Sequence, residues 1–197
     1  MMAEAGTHKE RTRARILDEA AKALREHGHE GVGVAALMKL AGLTHGGFYA
    51  HFKDRDDLVA AAVERMFVDS KAMVSRYLGD NSPRDGLVAL IEYYLSGGHR
   101  DRIATGCPIA ALSSEAVRFP AAAKERFEEG LNRFRQPITE ALRKIGAPNP
   151  EELASSAVAE MVGALALARS MPRHASNSFL AASREQLKRR LGLKPEA

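Results

Sequence analysis

The sequence predicts an all-α protein, and three observations carry that prediction. Apolar residues recur at i, i+3 and i+4 along most of the 197 residues. Clusters of Gly, Pro, Ser and Asn interrupt those runs at roughly helix-length intervals. Nowhere does the chain alternate apolar and polar residues as a strand would, and no internal repeat is present. The 45% apolar and 27% charged content is that of a globular domain with a packed core, long enough for one domain or two small ones. A net charge of +4 leans toward an anionic partner without demanding nucleic acid. The single cysteine excludes an intramolecular disulfide, which fits a reducing cytoplasm. No apolar run approaches the ~18 residues that span a bilayer, and no signal-peptide hydrophobic segment opens the chain. The expected location is therefore cytoplasmic, with no membrane partner.

Residues 1–8 read as a loose start. Lys9, Arg11, Arg13 and Arg15 then open a helix that runs to about His27, with Ile16, Leu17, Ala20, Ala21 and Leu24 as its inner face. The basic cluster fits phosphate contacts and a solvated helix end equally well. Gly28, Gly31 and Gly33 break the pattern; no strand precedes them, and their spacing is wrong for a nucleotide-binding turn. His27 and His29 lack a carboxylate or cysteine cluster and read as surface histidines, not metal ligands.

Residues 34–58 hold the most pointed pattern. Val34, Leu37, Met38 and Ala41 share a helical face, and Gly42 can supply the positive φ that ends this helix. Thr44 is placed to cap a second short helix, from His45 to about His51. A helix, a tight Gly turn and a second helix form the DNA-reading helix-turn-helix. Phe48 and Phe52, four apart, should face inward, leaving Tyr49, His51 and Lys53 outward as phosphate donors. Gly46 and Gly47 cost about 2 kcal/mol of helix propensity; they fit either close approach to DNA or crowding against the preceding helix. Asp54 and Asp57 are spaced as a capping box for a third helix, and Arg55 stands at its positive end.

That helix is expected over Arg55–Leu78, ending at Gly79-Asp-Asn-Ser-Pro. Ser82 caps and Pro83 starts the next, through about Leu95. Ser96-Gly97-Gly98 ends it, a polar loop reaches Gly106, and Cys107 begins a short apolar helix that ends before Pro120. Residues 121–145 form a long helix that Pro137 should kink. A helix over Glu151–Met171, rich in Ala with Gly163 among them, suits a tight interface. The last, about Asn177–Leu191, has a basic end that complements its dipole. Nine helices or so result.

From Leu43 to Leu58 the sequence Leu-Thr-His-Gly-Gly-Phe-Tyr-Ala-His-Phe-Lys-Asp-Arg-Asp-Asp-Leu resembles the TetR family of transcriptional regulators. The resemblance is specific over about residues 9–67; beyond them only helix number and order agree. Gly33 stands where members often carry a capping Ser or Thr, and Arg55 replaces the usual Lys. The resemblance implies a helix-turn-helix domain over 1–55 and a ligand-binding and dimerisation domain over 56–197. It implies a homodimer through the last two helices that offers two heads to a palindromic double-stranded operator and is released by a small-molecule effector, most often as a repressor. It places Thr44, His45, Gly46, Gly47, Tyr49, His51, Lys53 and Arg55 at the DNA. No cofactor is implied.

The effector residues are less determined. Met66, Phe67, Tyr93, Tyr94, Phe134 and Met161 fit a pocket lining or plain core. Cys107 begins a helix whose dipole can lower a thiol pKa, and similar Gly-Cys segments occur in TetR-like regulators that sense reactive electrophiles; a buried inert cysteine is the preferred reading of the two. Other classes find less support. His51 and Asp56 have an acyltransferase-like His-x₄-Asp spacing, but they fall across a helix break with no oxyanion donors. Neither a Gly-x-Ser-x-Gly motif nor a phosphate loop occurs. A helical interaction module without DNA binding would need only the modest charge.

Overall fold

The computed structural model describes residues 7–29 and 33–193, with His45 through its backbone alone; residues 1–6 of the expected loose start, and Gly31, lie outside these. The described residues form nine α-helices and two 3₁₀ turns, with no strand among them. A head comprises α1 (His8–His27), α2 (Val34–Leu40) and a 3₁₀ helix (His45–Ala50). The body follows as α3 (Arg55–Leu78), α4 (Pro83–Tyr94), α5 (Gly97–Asp101) and α6 (Pro108–Leu112). A second 3₁₀ turn (Ala116–Arg118), α7 (Ala121–Lys144), α8 (Pro150–Arg169) and α9 (Arg173–Arg190) complete it.

Local chemistry sets most helix starts. Thr7 and Glu10 form a reciprocal capping box, so α1 begins at His8, inside the stretch expected to be loose. The Asp57 N–H donates to Asp54 Oδ1 at 2.8 Å, but the Asp57 carboxylate accepts from the Lys53 amide, one residue before the expected return bond. Ser82 caps α4, with Pro83 at its first position.

Three expectations need correction. The loop expected over 96–106 contains α5, whose start is capped by the His99 N–H donating to Ser96 Oγ at 3.1 Å. Two glycines argue against a helix there, but burial of His99 and Arg100 overrides that propensity. The apolar helix expected from Cys107 nearly to Pro120 is a five-residue helix followed by a separate 3₁₀ turn. The last helix starts four residues early, at Arg173 directly after Pro172. As for the expected kink, α7 continues past Pro137 as one element.

Helix α3 is the spine. Leu58, Val59, Ala62 and Val63 are buried in its first half and Met66, Phe67 and Val74 in its second, and the helix packs on α1, α7 and α4. Gly130 lets α7 come close: a Cβ there would overlap the Phe67 ring, which also meets Phe127 edge-on at 5.6 Å. Gly130→Ala should therefore destabilise the fold by about 1–2 kcal/mol, because overpacking outweighs the propensity gained. Urea denaturation that finds the variant as stable as the parent would show that Phe67 can move aside.

Candidate nucleic-acid interface and core polar cluster

The outward side of the head gathers most of the residues expected at DNA. Phe48 and Phe52 are 2% exposed and stack at 5.6 Å, anchoring the 3₁₀ helix as their spacing predicts. Tyr49 is 68% exposed, and Gly46, Lys53 and Thr44 are open to solvent. Gly42 has φ +68°, the left-handed turn expected of it. Thr44 sits at the cap position in extended conformation, but its side chain makes no capping bond.

The two glycines of this helix are not demanded by packing. No described atom lies within 4 Å of a Cβ placed on Gly46, and one on Gly47 meets Met38 Cε only at an ordinary 3.7 Å. Crowding against α2 is thus set aside as their reason. The side chain of His45 lies outside the described residues.

His51 departs from the expected outward pose. It is half-buried with Nδ1 unpartnered, and burial first, then the charges of Lys9, Arg13 and His8, hold it below its ordinary pKa of 6.5. Each neighbouring charge it feels is positive. Arg13 lies over the Phe52 ring at 4.9 Å, joining the α1 basic cluster to this face. Arg55 also departs: its guanidinium turns back to donate to the His29 carbonyl. His29, expected on the surface, is buried with its ring 5.5 Å from Phe119.

A second polar group lies in the body. The Cys107 N–H donates to His99 Nε2 at 3.2 Å, while His99 Nδ1 lies 2.8 Å from the Tyr94 carbonyl. A carbonyl only accepts and an amide only donates, so this pairing puts the imidazole hydrogen on Nδ1. Burial lowers the His99 pKa from 6.5 to about 4, with help from Arg169 and Arg102 against the Tyr94 carbonyl. The Tyr94 hydroxyl is fully buried beside Cys107 without a hydrogen-bond partner of good geometry. Arg169 Nη2 is likewise buried and unpartnered.

Of the two readings of Cys107, this environment fits the buried cysteine. The thiol is 3% exposed, and burial raises its pKa above 9.0, outweighing Tyr94, the α6 amides and Arg169. A five-residue helix has little dipole with which to oppose desolvation. Of the other proposed lining residues, Tyr93 joins Cys107, His99, Ser70 and Met73 around a small cleft. Tyr94 packs against His99 and Phe134, and Met66, Phe67, Phe134 and Met161 are buried in the hydrophobic core. Sequence reading missed His99 and Arg169 because their partners lie on other elements.

Comparison with known proteins places this geometry. Residues 16–62 match the family model described as bacterial regulatory proteins, tetR family. Residues 83–185 match that of the transcriptional regulator LmrA/YxaF-like C-terminal domain. The reduced form of E. coli NemR superposes with TM-score 0.80 at 21% identity, covering 91% of this chain and 96% of that one. A TetR-family regulator from Agrobacterium tumefaciens gives 0.80 at 22%, covering 92% and 98%. Another from Cytophaga hutchinsonii gives 0.82 at 18%, covering 98% and 100%. At these identities the structures establish a shared fold. No curated protein matches the chain at a significant level.

Two outcomes follow from the core cluster. His99 keeps a folded pKa below its unfolded one, so the unfolded chain binds the extra proton. Stability is full above pH 6.5 and falls toward pH 4, by on the order of 3 kcal/mol. His99→Gln should flatten that slope in urea titrations at stepped pH; an unchanged slope would exclude His99 as its source. Cys107 should react with a disulfide reagent at least about 100-fold more slowly in the folded chain than in urea. Equal rates would contradict its burial.

Proposed function

Since the chain belongs to the TetR family of bacterial transcriptional regulators, we propose that it acts as a homodimeric repressor. In this reading it binds a palindromic operator through its two heads and is released by a small molecule bound in the body. Regulators of this family bind operator DNA and effectors, usually as dimers; the particular contacts assigned to this chain are our reading. The helix-turn-helix unit takes residues 1–55 and the effector and dimer unit 56–197, the division falling in the first turn of α3. The role is regulatory, not catalytic, and the place of action is the cytoplasm.

The observation that carries the reading is Gly46. Its Cβ position is empty, it lies beside exposed Tyr49, and its conformational freedom is a cost the fold itself does not require. A backbone free of side chains there fits close approach to a base edge, with His45 and Gly47 beside it. Thr44, Tyr49 and Lys53 surround it as phosphate donors, and Lys9, Arg13 and His8 make the setting of His51 receptive to an anion. Arg55 reaches phosphate only by leaving His29.

The same reasoning supports the dimer. Gly163 on α8 has no described atom within 4 Å of its Cβ position outside its own helix turn, and Ala166 and Leu167 are exposed beside it. An isolated chain has no use for glycine there, whereas a second copy of α8 and α9 does. A thiol-reactive effector is the narrower reading, favoured by Cys107 lying at the hub of the core cluster. Its burial requires that segment to open first.

Duplex DNA selected by the full chain from a randomised library tests the regulator reading. The selected site should be palindromic, with affinity falling about 10³-fold or more between 50 and 200 mM salt. No enrichment would remove it. Gly46→Ala should keep or raise stability by about 0.5–1 kcal/mol while weakening binding to the selected duplex at least about tenfold. Gly163→Leu should sediment as a folded monomer. If Cys107→Ser leaves release by oxidants and electrophiles unchanged, the thiol reading fails.

A further inference from the structure

Four residues apart on the head, Arg25 and His29 receive contacts from the two ends of one body segment. Before α6, the Ala104 carbonyl accepts from Arg25 Nη1 at 3.1 Å. The Arg25 side chain is 2% exposed and also donates to the Met66 carbonyl and to Asp69, so this end is held deep in the core. After α6, Glu115 Oε2 accepts from the His29 N–H at 2.7 Å. The Glu115 amide itself donates to the Leu112 carbonyl at 3.0 Å, tying this carboxylate to the last turn of α6.

The Glu115 contact is closely fitted. Gly28 has φ +75°, which favours glycine, and a Cβ there would overlap the Glu115 carboxylate and push it off its present position. From the opposite side Arg55 donates to the His29 carbonyl and approaches His29 Nε2 at 3.4 Å, while Phe119 covers the ring. The turn at 28–29 is thus gripped between a body carboxylate and the first residue of α3.

We propose that Glu115 is a positioning residue that passes displacements of α6 directly to the DNA-reading head, by a route parallel to α3. It rests on the regulator reading above. Segment 104–115 carries Cys107 and the wall of the core cleft at its centre and is fastened to α1 at both ends. Whatever widens that cleft pulls on His29 through Glu115. Arg55, turned back onto His29, is held in the same grip, so loosening the turn also changes where its guanidinium lies. A carboxylate is not essential to this role; an acceptor at that reach is.

The test uses full-length Glu115→Ala and Glu115→Gln, because Arg55 substitutions would also remove a proposed phosphate contact. Amide hydrogen exchange by NMR and binding to the selected duplex are the readouts. In Glu115→Ala the His29 amide should exchange at least about tenfold faster. Its operator affinity should fall about fivefold or more while exchange outside the 28–29 turn stays at the parental rate, and Glu115→Gln, which keeps an acceptor, should restore both. Unchanged exchange at His29 overturns the grip itself. Faster exchange with parental affinity overturns the relay while leaving the regulator reading intact. A drop in Tm with faster exchange throughout the chain assigns Glu115 a purely structural role and also overturns it. If the wild-type chain selects no duplex, the regulator reading fails, and the exchange experiment still decides the grip.

Discussion

The ring of Phe67 lies on the bare backbone of Gly130, and this contact sets how near α3 and α7 can approach. Much else follows from it. With α7 close, α3 is buried along its length, from Leu58, Val59, Ala62 and Val63 to Met66, Phe67 and Val74, and it packs on both α1 of the head and α7 of the body. A helix buried along two different partners cannot slide on one without dragging the other, because packed cores shift between discrete arrangements instead of deforming smoothly. The head is therefore attached to the body by the interior of a helix, not by a linker.

Buried cations show where the body is least settled. Arg25 has two carbonyls and Asp69, and Arg100 has Asp101, Ser176 and Asn177. Arg169 has only the Arg100 carbonyl at 3.3 Å, and among the described residues no ion pair joins it to a carboxylate. The hydroxyl of its neighbour Tyr94 is also unpartnered. Unsatisfied buried groups each cost about 1–3 kcal/mol. The start of α6 therefore carries more unmet polar demand than the α3–α7 contact, and rearranging it forfeits less. Low local stability and the attachment of this segment to the head coincide in one place.

Much of the head was legible because its determinants are local. Phe48 and Phe52 are four apart, Gly42 follows the last apolar residue of its helix, and Asp54 and Asp57 cap over three positions. The body hid what depends on distance along the chain. His29 looked like a surface residue because Glu115, which holds it, is 86 positions away. Ser96-Gly97-Gly98 reads as a stop by propensity, yet Arg100 is drawn inward by Ser176 and Asn177 and brings a helical turn with it. The Cys107 thiol was left between two readings for a related reason. A helix start is visible in sequence, whereas the desolvation that outweighs it is a property of packing.

Glycine makes the distinction between fold and function concrete. Gly28 and Gly130 are called for by this chain itself, the first by its positive φ and the second because a side chain would strike the Phe67 ring. Gly46 and Gly163 face empty space, and neither has the positive φ that would demand glycine. In sequence the four are indistinguishable, and by helix propensity those within helices carry the same penalty. A penalty that relieves nothing inside the molecule is one that contact with a second molecule can repay. Gly46 and Gly163 lie on two different surfaces, the exposed side of the 3₁₀ helix and the outer side of α8. On the reading proposed above, one meets the edge of a groove and the other a helix of like kind, so the same absence of a side chain serves two different partners.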